Sequence, residues 1–203
     1  MTAHSGVEAF RGTGKRERIL RAAVEVFAQR GYFNAKVSEI ARMAGVADGT
    51  IYLYFQRKED LLITIFRDHM TDYLRRLHAR LEDSSRPVDQ LRQIVLFHLE
   101  TLGSDRSLAI VFQVELRQSV KFMSVLSHEG VAEYLTILKR VVERGQAQGD
   151  FRADVQPQLL ANSIFGILDE MVTRWILAEK EYALAEHSEG ISDFILHGLI
   201  QKG

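Results

Sequence analysis

The chain has 203 residues, 46% of them apolar, with 26 Lys and Arg against 27 Asp and Glu for a net charge of −1, and no cysteine. That length can bury one substantial core or two modest ones, and the lack of cysteine excludes a disulfide framework and a thiolate metal site. No 18 uncharged apolar residues run together and MTAHSGVEAFRGTGKRER lacks the apolar stretch of a signal peptide, so no membrane association is expected and a cytoplasmic protein is.

In chain order, Ile19, Ala22, Ala23, Val26 and Phe27 repeat at helical spacing on a segment that starts near Lys15 and stops at Gly31. Val37 to Phe55 then reads as two short helices. Val37, Ile40, Ala41 and Ala44 share one face, and Gly45 supplies the left-handed residue that ends the first helix. Asp48, Gly49 and Thr50 open the second, which Ile51 and Phe55 anchor four residues apart. Lys58 begins a further helix whose first turn holds Glu59 and Asp60, where the macrodipole favours carboxylates. The remainder reads as helices near 58–82, 87–103, 105–119, 121–148, 157–180 and 184–201, separated by turn or capping residues and with Pro87 and Pro157 at first-turn positions. Nine helices and an all-α fold are predicted.

Two helices joined by a Gly-containing turn are how a small protein sets one helix into the DNA major groove. The charge distribution agrees. Residues 1–58 carry ten basic and five acidic side chains, a net +5, so the remainder is −6. A basic head on an acidic body suits a phosphate-neutralising domain joined to a domain of other purpose, and argues against a DNA-compacting protein, which needs a basic surface throughout. Catalytic and metal patterns are absent: the seven histidines never stand four apart on a helix, and there is no HExxH, GxSxG, GxGxxG or phosphate-binding glycine loop. Asp169 and Glu170 are adjacent on a helix and so project about 100° apart. Neither an enzyme nor a cofactor is expected.

The ordered string I-x-x-A-A-x-x-x-F-A-x-x-G-Y, I-A-x-x-A-G-V and G-T-I-Y-x-Y-F-x-x-K-E-x-L, between Arg16 and Leu62, resembles the N-terminal domain of the TetR family of bacterial one-component regulators. The resemblance implies a three-helix DNA-binding head over residues 1–60 and a six-helix effector-binding and dimerisation body over 61–203. It implies that the helix from Asp48 to Phe55 enters the major groove, with Gly49 allowing close backbone approach and Thr50, Tyr52 and Tyr54 reaching phosphates or base edges. Ser38 holds a position that in relatives often reads a base. Lys36 replaces a common Thr, weakening the cap and adding a cation at the DNA backbone, and Lys58 would pair with a phosphate and contribute to the salt slope. Packing within the head is the competing role for Tyr52 and Tyr54.

In the body, Leu159, Leu160, Ile164, Phe165, Ile167, Leu168, Met171, Val172, Trp175 and Ile176 are apolar on more than one helix face, as are Ile191, Phe194, Ile195, Leu196, Leu199 and Ile200. In the TetR family the last two helices pair with those of a second subunit, and the resulting twofold matches a palindromic operator in double-stranded DNA. The segments LAIVFQVELRQS and IFGILDEMVTRWI, together with DGTIYLYF, resemble the acyl-CoA-responsive repressors of fatty-acid degradation within that family. By that likeness a long-chain acyl-CoA effector would lie along Phe112, Leu116, Phe165, Leu168 and Val172, with Arg117 and Asp169 as polar contacts. Each of these apolar residues has core packing as its other role. Glu115, Arg117 and Asp169 either pair with one another or meet a ligand head group. A regulator of multidrug efflux that senses cationic amphiphiles is the alternative, with Glu115, Asp169 and Glu170 facing Phe112 and Trp175.

Overall fold

The computed structural model describes residues 14–82, 86–118, 124, 130–180 and 182–200. Among them are nine α-helices, two short 3-10 helices and no strand: α1 Lys15–Arg30, α2 Val37–Ala44, α3 Asp48–Tyr54, α4 Lys58–Glu82, α5 Pro87–Gly103, α6 Arg106–Gln113, α7 Val131–Gln148, α8 Pro157–Leu177 and α9 Ser188–Leu199, with 3-10 turns at Glu115–Arg117 and Leu184–His187. The all-α architecture is the expected one. Two helices are shorter than expected. Helix 105–119 stops at Gln113, and Glu115–Arg117 tightens into a 3-10 turn that buries Glu115 and Leu116 while Val114 faces out. The helix expected from 184 begins at Ser188, behind a second 3-10 turn. No Gly or Pro marks either break. The expected helical stretch at 121–129 lies outside the described residues, apart from Ser124.

The chain forms two compact units, Met1–Asp72 with Ser104–His128, and Tyr73–Gly103 with Glu129–Gly203. In the first, α1 buries Ile19, Leu20, Ala23 and Phe27 against α2 and α6, and the core is completed by Ile40, Ile51, Leu61, Leu62, Phe66 and Val111. Asp105 caps α6 by accepting the Leu108 N–H at 2.9 Å, and burial raises its carboxyl above the ordinary range.

In the second unit α5 is the central helix. It is buried along Leu91, Ile94, Val95, Phe97, His98 and Leu102, and packs on α7, α8 and α9. Trp175 closes the end of α8 by donating its indole N–H to the Tyr182 carbonyl at 2.9 Å. α7 ends at Gly149 in the left-handed conformation, φ 79°, and the chain doubles back so that Phe151 covers Gly145. A Cβ at Gly145 would sit inside the Phe151 ring. Gly145→Ala is therefore expected to destabilise this unit by about 1–3 kcal/mol from overpacking, despite a helix-propensity gain of roughly 1 kcal/mol; a lower urea midpoint by far-UV circular dichroism is the readout.

Candidate DNA interface and effector site

The head builds its interface from a rigid α2–turn–α3 unit. Gly45 adopts φ 66°, ψ 41°, and the Val46 N–H reaches back to the Ala41 carbonyl at 3.0 Å, the six-to-one bond of a left-handed helix stop. At the start of α2, Glu39 accepts the Lys36 N–H at 3.2 Å, which supplies the capping that the Lys36 side chain does not. α3 is pinned by Ile51 and Phe55, both buried, and Arg16 of α1 lies 6.0 Å over the Phe55 ring while pairing with Asp68 at 2.8 Å. The buried side of α3 is therefore fully committed.

Its other side is presented outward. Tyr52 is 54% and Tyr54 47% exposed, and the Tyr54 ring also lies 6.4 Å from that of Phe55. Thr50 is half-buried, Ser38 and Lys36 are exposed, and a Cβ on Gly49 would meet nothing within 4 Å. These six expected residues sit on or beside the two helices, five with side chains exposed or half-buried and Gly49 open to close approach.

Lys58 is placed differently from the expectation of a phosphate contact. Its ammonium donates to the carbonyls of Tyr32, Phe33 and Ala35 at 2.7, 3.1 and 2.9 Å and lies 4.7 Å from the centre of the Tyr32 ring. An ammonium has three donors, and all three are used. Burial lowers its pKa from the ordinary value. Lys58 is thus an internal clasp on the turn that leads into α2. On the other side of that turn, the buried Glu115 carboxylate accepts the Tyr32 N–H at 2.6 Å and the Gln118 amide at 3.2 Å. Glu115 stood in the sequence as an ion-pair or ligand candidate; its use for a backbone N–H 83 residues away has no local signal.

The expected effector residues are divided between the units. Phe112, Leu116 and Arg117 lie in the first: the Phe112 ring is 5.7 Å from Phe66 and 4.9 Å from His69, Leu116 is fully buried, and Arg117 is exposed. Phe165, Leu168, Asp169 and Val172 lie on α8 in the second, with Leu168 and Val172 buried and Phe165 half-buried, 5.9 Å from the Tyr134 ring. Sequence reading missed Tyr73, His98 and Tyr134, which the second unit gathers beside Phe165. Burial brings the His98 pKa down to about 4, a shift that the charge of Asp169 opposes. Burial likewise raises the pKa of both tyrosines.

Residues 19–65 match the family described as bacterial regulatory proteins, tetR family, and residues 66–198 match the YsiA-like protein, C-terminal region. The chain belongs to the TetR family. Among TetR-family relatives, it is 37% identical over 185 residues to the fatty acid metabolism regulator protein of Bacillus subtilis, covering 91% of this chain and 95% of that one. The crystal structure of FadR from Bacillus subtilis in complex with stearoyl-CoA superposes with a TM-score of 0.83 at 36% identity, over 89% of this chain and 97% of that one. FadR from Bacillus halodurans, a fatty acid degradation regulator, gives 0.83 at 37% identity, over 90% and 98%. Among the described residues no cluster of His, Asp and Glu is placed to hold a metal ion, and no helix is long and apolar enough to cross a membrane.

Two outcomes follow from this geometry. Lys58→Met keeps the aliphatic stem but leaves three carbonyls without their donor, and is expected to destabilise the head by about 1–3 kcal/mol, read as a lower thermal midpoint. His98 binds a proton in the unfolded chain below pH 6.5 that the folded chain refuses until about pH 4. Its contribution is therefore complete above pH 6.5 and lost as pH falls toward 4, by about 3 kcal/mol over the window. Urea midpoints between pH 7 and 4 should fall less steeply for His98→Asn, and parallel curves would contradict the assignment.

Proposed function

We propose that the protein is a DNA-binding transcriptional repressor of fatty-acid degradation genes that long-chain acyl-CoA releases from its operator. The observation that carries this reading is likeness over nine tenths of the chain to a regulator solved with stearoyl-CoA. The head supports it with an outward face of Ser38, Gly49, Thr50, Tyr52 and Tyr54 on a pinned helix, with Lys36 alongside as a phosphate cation. Residues 1–60 carry the DNA-binding role and 61–203 the effector and dimer roles. The protein acts by binding rather than catalysis, in the cytoplasm where its DNA lies.

The exposed apolar face of the last two helices supports a homodimer. Phe194 is 70% exposed on α9, and Leu159 and Leu177 are exposed at the ends of α8; pairing with a second subunit would cover them and bring twofold symmetry to a palindromic site. An acyl chain of a dozen or more carbons releases on the order of 10 kcal/mol of gross burial free energy at about 0.8 kcal/mol per CH₂. A swing from mostly competent to mostly incompetent for DNA needs a differential of about 5.5 kcal/mol. The ligand would select a dimer whose two α3 helices no longer match successive major grooves. Phe112 and Leu116 support such coupling, because their segment belongs to the unit that holds the head, where Ser107 donates to Glu25 of α1 at 3.0 Å and Glu115 holds Tyr32. The efflux reading loses two of its acids: Glu115 serves the turn, and Glu170 pairs with Arg174 at 2.6 Å on an exposed face.

Titration of the protein bound to its own promoter DNA, at fixed salt, tests the proposal. Micromolar long-chain acyl-CoA is expected to release the DNA, while free CoA and free fatty acid are not. Retention of DNA at saturating acyl-CoA would rule out this effector.

A further inference from the structure

Beside the expected effector residues, the second unit holds a polar cluster that packing alone does not explain. Tyr73 of α4, His98 of α5 and Tyr134 of α7 meet with ring centroids 6.3 Å apart for Tyr73 and His98, 5.7 Å for Tyr73 and Tyr134, and 5.7 Å for His98 and Tyr134. Phe97 and Phe165 flank them, 4.9 Å from Tyr73 and 5.9 Å from Tyr134. His98 is 4% and Tyr134 2% exposed. The Tyr73 hydroxyl lies 3.2 Å from Nδ1 of His98 and interacts with the Tyr134 hydroxyl, whereas Nε2 of His98 and the Tyr134 hydroxyl have no hydrogen-bond partner within 3.5 Å. Two Phe residues would fill the same space without that desolvation cost.

The cluster has a definite polarity. When the Tyr73 O–H donates to Nδ1, the proton of a neutral imidazole sits on Nε2, so Nε2 and the Tyr134 hydroxyl are both donors. They call for an acceptor. Asp169 bears on both His98 and Tyr134 with its negative charge, and the site is buried, so a free carboxylate or phosphate is disfavoured. A neutral carbonyl oxygen offers two lone pairs and no charge. Resting on the acyl-CoA reading above, we propose that Tyr134 and His98 form a subsite that donates two hydrogen bonds to the thioester carbonyl oxygen of the ligand, with Tyr73 as the positioning residue that holds the imidazole tautomer. Phe165, expected as a wall residue, then lies beside the first carbons of the acyl chain.

The test is calorimetric titration of the full-length protein with stearoyl-CoA and with its thioether analogue, in which a methylene replaces the carbonyl. The wild type is expected to prefer the thioester by about tenfold, the scale of one or two neutral hydrogen bonds. Tyr134→Phe removes a hydroxyl with no hydrogen-bond partner within 3.5 Å and keeps the ring; it should lose most of that preference while binding the thioether as the wild type does. His98→Asn should narrow the preference as well. Equal affinity of the wild type for the two ligands, or a preference undiminished in both variants, overturns the subsite and leaves the acyl-CoA reading intact. Failure of the wild type to bind either ligand overturns the acyl-CoA reading and the subsite with it.

Discussion

The turn between α1 and α2 is held from two sides by opposite charges, and the geometry of the head depends on that clasp. Gly31, at φ 75°, takes the chain out of α1, and the carbonyls of Tyr32, Phe33 and Ala35 then converge on the Lys58 ammonium. The Tyr32 N–H turns the other way, to the buried carboxylate of Glu115. Each bond is charge-assisted, which makes it stronger than a neutral one and makes the loss of either partner costly. α2 starts where the turn delivers it, and α3 follows from α2 through the left-handed residue Gly45. The placement of the outward face of α3 is thus inherited from a lysine and a glutamate that have no need to touch DNA.

The second unit is organised around a different constraint. α5 packs on α7, α8 and α9, and the face it buries against them is expected to be apolar. It nevertheless carries His98 at the point where Tyr73 and Tyr134 also arrive. Burial keeps that histidine neutral at physiological pH, which leaves a hydrogen-bonding group without a formal charge. Apolar walls with a small number of neutral donors are what a site needs in order to hold a long hydrocarbon and still fix its register by one polar atom. The charged residues of α5 lie on its outer face, where Glu100 pairs with Arg80 at 2.8 Å and Arg92 with Asp193 at 2.7 Å.

The head was legible in the sequence because its signals are local. Helical spacing at Ile19 to Phe27, a glycine at the stops of α1 and α2 and the I-A-x-x-A-G-V pattern all act within a few residues, and α1 to α4 begin where those signals put them. In the body the same reasoning located α5 and α8 from Pro87 and Pro157 at their starts. It failed at 114–118. There the helix gives way to a 3-10 turn around Glu115, whose partner lies 83 residues back in the chain. Lys58 illustrates the same limit at the scale of one side chain: a cation in the first turn of a helix looks the same in sequence whether it faces a phosphate or three carbonyls.

By itself the sequence determined the helical fold, the family and the face of α3 that is turned outward, since hydrophobic period, capping residues and left-handed glycines are written in neighbouring positions. Tertiary structure alone decided that Glu115 serves the turn before α2, that Lys58 is an internal clasp, and that Tyr73, His98 and Tyr134 share one buried site. Such convergences join residues far apart in the chain, and a polar side chain acquires its role only from the partners and the desolvation that folding imposes.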